Sequence, residues 1–309
     1  MNEKKEIEYN EELYKKFFDL VGSPDEGRKI SQSAAAKALG YSSAVVSAYK
    51  NRAYTGDVKR FEKEADGWLK REARRVAKVD VPTAGTAALD SILKAVTMAQ
   101  DDRDIAVIVG DSGAGKTTAL RAYAAENHGA ILIEVDSSFT KNVLVTEIAG
   151  ALGVETKGSV TAVIARVVEA LRGRDTVVII DEADYLSDAS LELVRRVIND
   201  KAETGAVLCG LPRLKYKLEN LRNDHQQLTG RVGVLLEVKR LGRPDAVKII
   251  EGVWSDLVKE TVDAFVKTAG GSARTLVKLI RRVHQTMAIN RVETPDAEVI
   301  AAASEMLMR

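Results

Sequence analysis

Ile105-Ala106-Val107-Ile108-Val109-Gly110-Asp111-Ser112-Gly113-Ala114-Gly115-Lys116-Thr117-Thr118 is the stretch on which the reading of this chain turns. A short β-branched run leads directly into G-x-x-x-x-G-K-T, and a helical pattern follows, so the motif stands where a P-loop requires it, between strand and helix. The glycines let successive backbone N–H groups converge on an anion without Cβ obstruction, and the helix N-terminus adds its positive end. The motif places Lys116 on the β- and γ-phosphates of a nucleotide and the Thr117 hydroxyl on Mg²⁺. Gly110, Asp111, Ser112, Gly113, Ala114, Gly115 and Thr118 complete the expected cradle. ATP and Mg²⁺ are therefore the expected ligands.

A second motif lies further along: Thr176-Val177-Val178-Ile179-Ile180-Asp181-Glu182-Ala183-Asp184 reads as a buried strand delivering two carboxylates at its C-terminal end. In open α/β sheets that edge binds ligands. Asp181 is the candidate for the Mg²⁺ shell and Glu182 for polarising the attacking water, which makes the site hydrolytic, an ATPase. Asp184 reads as a solvated or helix-start residue. The runs Ile105–Val109, Ile131–Val135, Val177–Ile180, Ala206–Cys209 and Val232–Val238 each read as a strand buried on both faces. Helical patterns separate them, such as Val160, Val163, Ile164, Val167, Val168 and Leu171 along one face. Alternation of this kind makes an α/β fold with a doubly wound parallel sheet. A helix over Ala87–Met98 precedes the first strand. After Gly242-Arg243-Pro244 only helical segments follow, over 245–254, 259–268, 273–290 and 296–308.

The chain's 309 residues suit two or three domains, and 45% hydrophobic with 29% charged residues is ordinary globular composition. The net charge of +1 leaves only charge distribution to inform about partners. The single cysteine, Cys209, excludes a disulfide framework and a cysteine-ligated zinc site. No signal-peptide core or membrane-length apolar run is present in the sequence, which reads as cytoplasmic. Pro82 and Gly85 interrupt any helix after Val79. The expected domains are 1–78, 79–240 and 241–309.

Between residues 28 and 78 there are 13 Lys and Arg against 5 Asp and Glu. Within that basic stretch, Ile30 to Lys50 reads as two short helices around Gly40, a helix-turn-helix, with Ala34–Ala36 permitting close approach, Leu39 and Val45 in the core and Ser42 as a cap. The second helix would lie in the major groove with Ser43, Ala44, Ser47 and Lys50 outward, while Arg52, Lys59 and Arg60 meet phosphates. Small reading residues imply double-stranded DNA binding with little sequence preference; a protein-docking role for the same face is the alternative. Phe61, Trp68 and Leu69 read as core. Arg71, Arg74, Arg75 and Lys78 form a second basic strip, and Lys278, Arg281 and Arg282 a smaller cluster that could contact DNA or a partner protein.

The two nucleotide motifs, about 65 residues apart, resemble those of the AAA+ ATPases, whose P-loop sheet is followed by a helical lid. The resemblance implies that Arg274, in Gly270-Gly271-Ser272-Ala273-Arg274, approaches the γ-phosphate from the lid. It also implies an arginine presented to a neighbouring subunit's nucleotide, for which Arg231 is the candidate and Arg222 and Arg213 its rivals. An arginine suits this because its planar fork matches the spread charge of a transferring phosphoryl group. Members often carry Asn or Thr where Leu211 stands, so hydrolysis is expected to be slow or conditional. Across nearly the whole chain the order of parts is similar to the transposition target-selection ATPases of Mu-type phages. That similarity implies a homo-oligomer or filament on duplex DNA with ATP at subunit interfaces, a transposase as partner, and residence in the bacterial host cytoplasm with the nucleoid. An ATP-gated DNA-binding switch and a helicase loader are the alternatives.

Overall fold

The computed structural model describes residues 9–22, 30–76, 79–220, 230–290 and 292–307, with the side chains of 73–76 excepted. The chain divides into two compact units, Met1–Val79 and Asp80–Arg309. Among the described residues no helix is long and apolar enough to cross a membrane.

The described residues of the first unit form four helices, α1 (Glu11–Leu20), α2 (Gln32–Leu39), α3 (Ser43–Lys50) and α4 (Val58–Val76). Asn10 and Ser31 cap α1 and α2 by accepting from Leu13 N and Ala34 N. Gly40, at φ +77°, ends α2 in the left-handed conformation and turns the chain into α3, as the sequence implies. The core is aromatic, with Phe17, Tyr49, Phe61 and Trp68 packed around Ala35, Ala36 and Val46. The expected core residues Leu39 and Val45 are only partly buried, because α3 turns Val46 and Tyr49 inward instead. Ser42 precedes α3 in extended conformation, but its side chain makes no capping hydrogen bond. Of the second basic strip, Arg74, Arg75 and Lys78 lie outside the described side chains.

The second unit opens with α5 (Ala87–Asp102), capped by Thr86 and one turn longer than its apolar pattern implied. There follow β1 (Ile105–Gly110), α6 (Lys116–Glu126), β2 (Ala130–Glu134), α7 (Lys141–Ala151), α8 (Val160–Leu171), β3 (Val177–Asp181), α9 (Asp188–Leu193), β4 (Gly205–Gly210), α10 (Pro212–Asn220) and β5 (Val232–Val238). The strands form one parallel sheet in the order β2-β3-β4-β1-β5. Side chains of β1 alternate between two cores: Ile105, Val107 and Val109 with α7, α8 and α9, Ala106 and Ile108 with α5 and α6. β1, β3 and β4 are buried throughout. The outer strands correct the expectation of two-sided burial. β2 is only partly covered, and on β5 Val234 and Leu236 pack on the α5 side while Gly233, Leu235 and Glu237 are exposed. An edge strand has a neighbour on one side only, so apolar content alone overstates its burial.

Between α9 and β4 the helix widens into a π-helical segment, Val194–Lys201, unsuspected from sequence. Arg195 is buried there between Glu192 and Asp200. The unit ends in α11 (Arg243–Glu251), α12 (Lys259–Ala269), α13 (Ala273–Asn290) and α14 (Ala297–Glu305), the helical lid.

Phe61 is fully buried against Phe17, Tyr41, Tyr49 and Tyr54. Phe61→Ala is expected to destabilise the first unit by about 3–5 kcal/mol. With Trp254→Phe as background, Trp68 is the remaining tryptophan, so urea denaturation followed by its fluorescence isolates this unit. An unchanged midpoint would contradict the assigned core.

Candidate nucleotide site

The loop joining β1 to α6 folds as its glycines dictate, with Gly113 at φ +82° and Gly115 at φ +94° immediately before Lys116 opens the helix. Lys116 is buried and lies across its own loop, its Nζ donating to Gly110 O at 2.7 Å and Asp111 O at 3.1 Å. The next residue, Thr117, donates its hydroxyl to Asp181 Oδ2 at 2.6 Å. That bond spans β4, which lies between β1 and β3, so both motifs end at one edge of the sheet. Asp181 is buried and its other oxygen accepts from Glu182 N at 2.9 Å. A hydroxyl and a carboxylate side by side form the hard-oxygen donor set that suits Mg²⁺. Glu182 sits at φ +58°, a left-handed conformation costing on the order of 1–3 kcal/mol in a non-glycine residue and characteristic of functional turns.

These residues border a cleft of about 1070 Å³, ample for a nucleoside triphosphate. Its walls are the extended segment Val81–Thr86, the P-loop, the connection 239–242 after β5, and α13 of the lid. Arg274 lies against the loop: its backbone N donates to Gly113 O at 3.2 Å and its Nη1 to Ser112 Oγ at 2.9 Å. A Cβ at Gly113 would stand 2.5 Å from Ser272 Oγ, so glycine is what admits the lid turn here. Lys278 and Arg281 also line the cleft, and Arg282 turns to Gln285; the supposed basic surface cluster is thus divided.

The arginines proposed to act across subunits lie elsewhere. Arg231 stands at the start of β5, its carbonyl accepting from Ile105 N at the opposite end of β1 from the P-loop, and its Nε is 3.1 Å from Asp200. Arg222 lies outside the described residues. Arg213 donates its Nε to Asp184 Oδ2 at 2.6 Å and lies over the Tyr185 ring at 4.9 Å. Asp184 is therefore not solvated. Its side chain is fully buried, accepting from Leu211 N at 3.0 Å as well as from Arg213, and so it ties the turn after β3 to the end of β4. That hydrogen bond holds the Arg213 guanidinium above its already high pKa. Leu211 presents no polar side chain to the cleft, and Cys209 beneath it is a neutral thiol, its pKa pushed up by burial and by the nearby Asp181 carboxylate.

In the first unit, Ser43 and Lys59 are exposed, and Ser47 and Lys50 half-buried. The Lys50 carbonyl accepts from Tyr14 OH at 2.6 Å. Arg60 bonds Glu64 at 3.1 Å but remains largely exposed. Arg52 is committed to its own domain: both its terminal nitrogens bond Glu11, and its guanidinium lies over Tyr14 at 4.4 Å and Tyr9 at 5.2 Å. Glu11 is held below the usual carboxylate range by that hydrogen bond. A further cleft between α2 and α4 is flanked by Arg60, Lys63 and Arg71.

Asp184→Ala removes the acceptor for two donors on the far side of the site. It is expected to lower stability by about 1–3 kcal/mol in urea denaturation, since Leu211 N loses its acceptor at a buried carboxylate. It is also expected to depress ATP turnover more than ATP affinity. Full stability in this variant would show that the tie carries no load.

Residues 99–218 match the AAA domain family. Over 262 residues the chain is 26% identical to the Mu-like prophage FluMu DNA transposition protein B of Haemophilus influenzae, covering 81% of this chain and 90% of that protein. It is 29% identical over 224 residues to the ATP-dependent target DNA activator B of Escherichia phages Mu and D108, covering 70% of each chain. Among solved structures, the Aeropyrum pernix ORC2 protein superposes with a TM-score of 0.58 at 14% identity, over 75% of this chain and 71% of that one. The Thermotoga maritima RuvB Holliday junction branch migration motor gives 0.52 at 19%, over 72% and 70%. These two show a shared fold. With its P-loop, paired carboxylates and lid on one parallel sheet, the chain is an ATPase whose residues 99–218 match the AAA domain family and which is similar over most of its length to the transposition B proteins of Mu-like phages.

Proposed function

We propose that this ATPase binds duplex DNA in an ATP-dependent manner with little sequence preference, assembles on it as an oligomer or filament, and delivers it as target to a transposase. The observation that carries the reading is the closed geometry of the nucleotide site, in which the lid turn rests on the P-loop through Arg274, combined with the likeness to proteins named as target DNA activators. A site built this way registers the presence of phosphate as a change in lid contacts.

Within the site, Lys116 is assigned to the β- and γ-phosphates, Glu182 to polarising the attacking water and Arg274 to the γ-phosphate. Thr117 and Asp181 would hold Mg²⁺, which would supply neutralisation of phosphate charge. Arg231, on the side of the sheet away from its own P-loop, is assigned to the neighbouring subunit's nucleotide. There it would have to leave Asp200, an exchange that an incoming phosphate favours through a bidentate contact. With ATP bridging two subunits the oligomer holds together, and hydrolysis removes the bridge.

DNA contact is assigned to Ser43, Ser47 and Lys50 on α3 with Lys59 and Arg60 at the start of α4. Arg52, placed with them from sequence, supports this face from beneath by anchoring α1. The small side chains of α3 offer no fork for a base edge, so binding rests on phosphates and falls steeply with salt. The protein would act in the cytoplasm of the bacterial host.

Two variants test the coupling in a fluorescence-anisotropy assay on random-sequence duplex. Lys116→Ala is expected to abolish nucleotide binding and with it tight DNA binding; ATP-independent affinity equal to wild type would contradict the coupling. Glu182→Gln is expected to retain ATP and form complexes that dissociate many times more slowly. Rapid dissociation with ATP bound would remove Glu182 from the hydrolytic step.

A further inference from the structure

Asp111 presents a difficulty for a triphosphate site. It occupies the second position of the P-loop, next to Ser112 and Gly113 of the cleft wall, and its carboxylate has the same sign of charge as the ligand. Repulsion between unit charges a few ångströms apart amounts to about 1 kcal/mol even in water. The structure answers with Arg240, whose Nε donates to Asp111 Oδ2 at 2.8 Å across 129 residues of sequence. Arg240 belongs to the connection from β5 to α11, and it lines the same cleft.

Its position is prepared on the other side as well. Leu241 N donates to Gly271 O at 2.8 Å, fastening this connection to the lid turn. Gly271 has φ +81°, and a Cβ there would stand 3.2 Å from Arg240 Cβ, so the turn leaves room for the arginine to pass. Three successive P-loop residues are thus held from outside the loop: Asp111 by Arg240, Ser112 and Gly113 by Arg274. The Asp111–Arg240 pair is well exposed, with Arg240 at 72%, and such pairs contribute little to folding stability. Its effect is on what binds beside it.

We propose that Arg240 is a positioning residue for the nucleotide: it cancels the charge of Asp111 beside the phosphates and links the strand-to-lid connection to the P-loop by an ion pair. The inference rests on nucleotide binding at this loop. Arg240 offsets Asp111, so its loss takes binding below the wild-type level only while Asp111 remains charged. Asp111→Asn alone frees a cation next to the phosphates and tightens binding.

The test is a charge cycle, with affinity for a slowly hydrolysed ATP analogue and Mg²⁺ measured calorimetrically on the full chain at low salt. Arg240→Ala is expected to weaken binding about three- to tenfold, with melting temperature unchanged, and less for ADP than for the triphosphate. Asp111→Asn is expected to strengthen it, and Asp111→Asn with Arg240→Ala to return it close to wild type. Near 1 M salt, where the screening length is about 3 Å, the differences should shrink. A double variant as weak as Arg240→Ala would overturn the proposal by showing direct contact between Arg240 and nucleotide. An Arg240→Ala protein that binds like wild type would overturn it too. Wild-type protein that binds no analogue, as expected of the Lys116→Ala control, would overturn the nucleotide reading and this pairing together.

Discussion

The hydrogen bond from Thr117 to Asp181 is the constraint on which the rest of the site depends. The P-loop follows β1 and the carboxylates follow β3, yet β4 lies between those strands, so they are two strand spacings, about 10 Å, apart. Only a helix starting tightly at Lys116, with its second residue leaning over the sheet edge, closes that gap. The parallel register from Val177↔Gly205 to Ile180↔Leu208, with Ile105↔Ala206 on the other side of β4, brings all three strand ends level. Two buried cores on opposite faces hold that register. Asp184 then fixes the end of β4 to the turn after β3, so the turn that carries Glu182 is braced from behind.

Against this rigid edge stands a lid that touches the P-loop directly. Arg274 and Arg240 reach it from two different anchors, the start of α13 and the connection after β5. In the proposed reading, phosphates entering the loop would compete for the same donors, and the lid is the element whose contacts would change. Coupling of this kind needs no long pathway, since sensor and lever are the same side chains.

Much of this was legible in the sequence because it is local. Glycine spacing, the β-branched runs and the carboxylates at a strand end each announce themselves within ten residues, and they locate Lys116, Thr117, Asp181 and Glu182 at one edge. What escaped depends on distant pairing. Asp184 looks like any loop aspartate until Leu211 N, just past β4, and Arg213, in α10, arrive 27 to 29 residues later. Arg52 looks like a phosphate contact until Glu11, Tyr9 and Tyr14 surround it. Arg240 carried no signal at all, being one basic residue among several after β5. Edge strands β2 and β5 read as central because apolar content reports composition, not the number of neighbours.

The most direct measurement of the account's central claim is electron microscopy of the protein on random-sequence duplex DNA, with ATP, with ADP and without nucleotide. Helical assemblies on arbitrary DNA are expected with ATP alone, breaking up as ATP becomes ADP. Discrete particles of the same form in all three conditions, indifferent to DNA, would contradict it.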